Sequence, residues 1–161
     1  MKSLFIILLL SASISSFANQ PEISKKVYKE LKKHFEIEGL ELVEMEKLSN
    51  ETDLFLQIFH EKELIGTIVL TSAQGRYDKF DFMIIYNKSL KIELIKILIY
   101  RSDYGSEITA KNWLKQFYSI SEKELKYGSD IQAISGATFS AVSLTKNVNR
   151  INKIVKENLK N

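Results

Sequence analysis

The sequence predicts an α+β protein, an antiparallel β-sheet packed by helices, with a loop of small residues opening a C-terminal helix. Two observations predict it. Apolar residues recur at helical spacing near the start and again at the end of the chain, while the stretch between them is rich in Ile, Leu, Phe and Tyr and is cut by short polar turns. The order is therefore helix, strands, helices rather than an alternating strand–helix pattern.

Taken in order, the chain opens with Met1-Lys2, an apolar run from Leu4 to Leu10, and small residues at Ser16 and Ala18. A basic start, a short apolar core and a small-residue cleavage site describe a secretory signal peptide over 1–18. The run breaks into serines before reaching the roughly 20 apolar residues of a spanning helix. Cleavage near Ala18 leaves 19–161 as one ordinary domain. Pro21 then precedes Ile23, Val27, Leu31 and Phe35, which predict a helix over 22–36 closed by Gly39.

Strands are predicted over 40–48, 54–59, 64–71, 80–86 and 90–100, with Glu61-Lys62-Glu63 and Asn87-Lys88-Ser89 as tight turns. Asn50-Glu51-Thr52 and Asn87-Lys88-Ser89 match the glycosylation sequon, but turns favour these residues anyway. A glycine-containing turn, Asp103-Tyr104-Gly105-Ser106, leads to a short helix over 110–118 with Trp113, Leu114 and Phe117 on its inner side. The last helix begins near Phe139 and carries Val142, Thr145, Val148, Ile151, Val155 and Leu159 as its apolar stripe.

Composition excludes several classes of function. The chain has no cysteine, so disulfides, thiolate-held clusters, cysteine zinc sites and C-x-x-C-H haem attachment are all ruled out. His34 and His60 stand far apart, in no metal-ligand spacing. The formal charge of +3 comes from lysines spread along the chain, without the dense basic face that nucleic acid requires. No nucleophile–base pair, paired carboxylates or phosphate-binding glycine loop is visible. Redox chemistry here would have to come from an organic cofactor.

The segment Ile134-Ser135-Gly136-Ala137-Thr138 is a run of small residues placed where the last helix begins. Such a backbone allows close approach of another molecule. A hydroxyl at Thr138 suits a helix cap, and a phosphate there would meet free N–H groups and the positive end of the helix dipole. Capping and phosphate binding use the same residue types, and the tetrad alone leaves both open.

The run resembles the signature of the FMN-binding domain family, which includes the peripheral flavin subunits of the Rnf and sodium-pumping NADH:quinone reductase complexes. Tyr100-Arg101-Ser102-Asp103-Tyr104-Gly105, then Trp113 with Gln116-Phe117, then Gly128-Ser129-Asp130-Ile131, are similar to small stand-alone exported members. The resemblance covers roughly 64–155. It implies FMN as cofactor, joined through a phosphoester to Thr138 by a flavin transferase that uses FAD. It also implies redox partners outside the cytoplasm or in the membrane, and a redox carrier rather than a stand-alone catalyst. By the same resemblance Ser135, Gly136, Ala137, Gln132, Arg101, Tyr104 and Gly105 form the cofactor site. Arg101 has two readings, a donor to the cofactor or an ion pair with Asp103. The family usually has an aspartate where this chain has Gln132, and that residue favours the alternative: a secreted, non-enzymatic binding or structural domain that has lost flavin.

Overall fold

The computed structural model describes residues 21–118 and 123–160, so the expected leader over 1–18 lies outside the described residues. Helix α1 spans Pro21–Phe35. Glu22 in its first turn and Lys32, Lys33 and His34 in its last complement the helix dipole. Ile23, Val27 and Leu31 are buried, as the spacing predicts. The helix ends before Gly39: Glu36 itself takes a left-handed φ of 56° and donates its N–H to the Lys32 carbonyl.

Five strands follow, β1 Glu41–Glu44, β2 Asp53–His60, β3 Glu63–Gln74, β4 Lys79–Asn87 and β5 Ile92–Ile99. They form one antiparallel meander in the order β1-β2-β3-β4-β5, the sheet the sequence predicts. The β2–β3 link is a two-residue turn in which Glu61 and Lys62 both have positive φ, the conformation that matches the twist of a hairpin. Both sequons lie in side-chain-braced turns: the Asn50 amide oxygen accepts from Thr52 and Asp53, and that of Asn87 accepts from Ser89 and Lys91.

Two strands are shorter than expected. Of the stretch over 40–48 only Glu41–Glu44 forms a strand: Met45 still donates its N–H to the Phe55 carbonyl of β2, but its own carbonyl accepts from the N–H groups of Leu48 and Ser49, which turns the chain there. At the other edge Leu90 has a φ of 58° and belongs to the Asn87 turn, so β5 starts at Ile92.

Both faces of the sheet are covered. On β4 the residues Phe80, Phe82, Ile84 and Tyr86 point into one apolar cluster, and Met83 and Ile85 point into another. The second cluster is closed by α1. The first is closed by helix α2 (Lys111–Leu114), the 3₁₀ turn Lys115–Phe117 that follows it, and helix α3 (Thr138–Leu159). The expected helix over 110–118 is thus one α turn running into a 3₁₀ turn.

The buried stripe of α3 is Ala141, Leu144, Val148, Ile151 and Val155; Val142 is half-buried, and Ala141 and Leu144 take the inward positions. Asn152 is also buried; its amide oxygen accepts from the Tyr86 hydroxyl at 2.7 Å, while its amide nitrogen has no hydrogen-bond partner among the described residues. Arg150 ties α3 to β2. Its guanidinium grips both Asp53 carboxylate oxygens, at 2.6 and 2.8 Å.

Candidate functional site

Three turns meet at the N-terminus of α3: the β3–β4 hairpin at Gly75–Asp78, the segment after β5, and the loop Ile134–Ala137. Ser140, in the first turn of α3 and 2% exposed, lies where they meet. Its hydroxyl is 2.8 Å from the Tyr100 hydroxyl, which in turn donates to the Tyr104 carbonyl at 2.7 Å. Gly105 makes this approach possible. Its φ is +84°, and a Cβ there would lie 2.6 Å from the Tyr100 hydroxyl and 3.3 Å from the Ser140 oxygen.

The three turns enclose an open cleft of about 280 Å³. Gly136, Ala137 and Thr138 line it, together with Tyr104 and Gly105 from the segment after β5 and Arg76 of the hairpin. Phe139 and Ser140 complete it.

The electrostatics of this cleft favour an anion. The N-cap of α3 is Ala137, which offers no side-chain hydrogen bond, so the first N–H groups of a 22-residue helix lack a capping oxygen. Thr138 is the first helical residue rather than the cap. It is exposed, and among the described residues its hydroxyl has no hydrogen-bond partner. The chain has three arginines, and two of them hold buried aspartates: Arg101 binds Asp81, and Arg150 binds Asp53. Arg76 makes no ion pair among the described residues; its guanidinium lies over the Tyr77 ring, 5.4 Å from the centroid. A carboxylate does lie nearby, since Glu107 rests against Gly136, but it is not part of the cleft wall.

The structure brings Tyr104, Gly105, Gly136, Ala137 and Thr138 together and leaves three expected residues outside. Arg101 is turned toward Asp81 and the Lys79 carbonyl, at 2.5 and 3.0 Å, rather than toward Asp103 or the cleft. The reason is that Asp81 is 4% exposed on β4, and a buried carboxylate needs its charge matched. Ser135 and Gln132 are exposed and do not line the cleft.

Gln132 contributes through its backbone: its carbonyl accepts from Trp113 Nε1 and its N–H donates to Gln116 Oε1, each at 2.8 Å. Trp113 and Gln116, spaced three apart, therefore bracket the strand-like approach to the small-residue loop. Trp113 is also 7% exposed and part of the core. Just upstream Asp130 accepts from the Lys126 N–H, and from Lys123 Nζ. These bonds hold its carboxyl below the usual range, the lysine bond contributing most.

Sequence reasoning missed Arg76, Phe139 and Ser140 as parts of this site. The signals were present but ambiguous: Gly75-Arg76-Tyr77-Asp78 reads as an ordinary hairpin turn, and nothing local says that it faces Thr138. Among the described residues no three metal-ligating side chains come together, and no helix is long and apolar enough to cross a membrane. His34 instead sits 3.1 Å from Glu93. Fold and site define an α+β protein whose one long helix presents its uncapped N-terminus to a cleft beside an unpaired arginine. No protein-family model and no curated protein matches the chain.

Proposed function

We propose that the protein is an exported flavoprotein that carries FMN on Thr138 and passes electrons outside the cytoplasm. One observation supports this reading above the others: a free threonine hydroxyl, uncapped helix N–H groups and an unpaired guanidinium share one cleft. That set fits a phosphate ester, since the helix terminus and Arg76 both attract the anion and the hydroxyl provides the point of attachment. The resemblance of the small-residue loop to the FMN-binding signature names the ester.

The attachment balances with FAD as donor. The Thr138 oxygen bonds to the phosphorus that bears riboflavin, the bond from that phosphorus to the bridging oxygen breaks, AMP leaves, and the threonine proton passes to the transferase or to solvent. Arg76 and the α3 N–H groups would hold the ester in place. The bound flavin supplies the redox chemistry, and the chain sets its position and surroundings.

The test is the intact mass of exported protein made with an active flavin transferase. Wild type should carry one FMN adduct, and Thr138→Ala none, with no flavin fluorescence on a denaturing gel. Thr138 is exposed and is not the helix cap, so the variant should keep the wild-type melting temperature. An adduct that survives in Thr138→Ala would move the attachment elsewhere. Wild type without flavin would favour the other reading, a secreted binding or structural domain, to which Gln132 in place of the usual aspartate points.

A further inference from the structure

A cleft of about 280 Å³ is too small to enclose a whole FMN, since pockets that bury ligands of that size run from roughly 300 to 1,000 Å³. The tricyclic ring must lie on the rim. There the surface is unusual. Among the described residues five large apolar or aromatic side chains are well exposed, and three of them, Tyr77, Tyr104 and Phe139, stand at this one place. Tyr104 and Phe139 line the cleft itself, and the Tyr77 ring meets the Tyr104 ring edge-on with centroids 6.3 Å apart. Apolar side chains scattered singly over a surface need no explanation, whereas a group of them around a groove marks a binding face.

We infer that Tyr77, Tyr104 and Phe139 form the platform on which the flavin ring rests, an inference that depends on the FMN reading of Thr138. Phe139 follows the attachment residue directly, so it lies within the span of the ribityl chain of a flavin tethered at Thr138. The platform is held from behind. The Tyr104 carbonyl accepts from Tyr100 and its N–H donates to the Ser102 hydroxyl, while the Arg76 guanidinium packs on the Tyr77 ring. The Tyr104 backbone is thus anchored while the three residues stay 61–69% exposed, and side chains with only two rotatable bonds lose little freedom on stacking.

Flavin fluorescence tests the platform, because a tyrosine in contact with the excited ring quenches it by electron transfer and phenylalanine does not. The measurement uses full-length protein made with the transferase, its flavin content fixed by intact mass. Wild type should fluoresce several-fold less than free FMN at equal flavin concentration. Tyr77→Leu with Tyr104→Leu should restore most of the emission per bound flavin at an unchanged melting temperature. Phe139→Leu should leave the emission low but reduce its anisotropy, as the ring gains motion. Flavin-loaded wild type as bright as free FMN, or quenching that persists in the double tyrosine variant, overturns the platform and leaves the Thr138 reading standing. Wild type with no flavin overturns both.

Discussion

Arg150→Met removes the group that ties α3, and with it the proposed site, to the sheet. Asp53 is 1% exposed and accepts from Arg150 at 2.6 and 2.8 Å, from the Thr71 hydroxyl at 2.6 Å and from the Asn50 amide at 3.3 Å. Burial pushes its carboxyl up, but the hydrogen bonds from Arg150 and Thr71, with the Arg150 charge, outweigh that and hold it below the ordinary range. Breaking a buried pair by deleting one partner costs about 3–5 kcal/mol. The Arg150 side chain is 42% exposed, and two neutral donors would remain on Asp53, so screening places this case at the lower end, about 3 kcal/mol.

Such a loss lowers the melting temperature of a chain of this size by about 10 °C. Thermal and urea unfolding followed by circular dichroism measure it. In an Asp53→Asn background no charge is orphaned, and Arg150→Met should cost less than about 1 kcal/mol. The pH dependence follows from the sign of the shift. A carboxylate whose pKa is lowered by folding stabilises above its unfolded value, near 3.9 for aspartate, and that stability disappears as pH falls through the lower folded value. The gap between wild type and Arg150→Met should therefore be full at neutral pH and close in strong acid. A cost below about 1 kcal/mol, the size of an exposed pair, or a gap independent of pH would refute the reasoning.

Phe82→Ala should cost about 3–5 kcal/mol in urea unfolding, since Phe82 is fully buried within the cluster between the sheet and α3. Gly105→Ala should cost about 1–3 kcal/mol, because it combines a left-handed φ with a methyl 2.6 Å from the Tyr100 hydroxyl; thermal melts would show it, and a neutral result would mean that the turn relaxes freely. Gln132→Asp should raise the fraction of protein carrying flavin, read by intact mass. A wild type that is already fully loaded would show that glutamine serves as well.

The chain's local patterns determine most of the elements. Ile23, Val27 and Leu31 at helical spacing, the alternation along Phe80, Phe82 and Ile84, and the asparagine turns at 50 and 87 all act within a few residues, so sequence alone predicts a meander flanked by helices. The small-residue run at 134–138 is equally local: it stands directly before the apolar stripe of α3, so the start of that helix is legible within a few residues. Tertiary packing decides the remainder. Both faces of β4 are apolar because helices cover both, which period-2 alternation on a single strand does not reveal. Arg101 and Arg76 are each a lone arginine beside or near an aspartate in the sequence. One is drawn to Asp81 because that carboxylate is buried on the neighbouring strand, and the other is left free on a hairpin that folding brings to Thr138 from 62 residues away. The partner of a charge is set by which strands pair and how a helix crosses them, and neither is encoded within a turn or two of the residue itself.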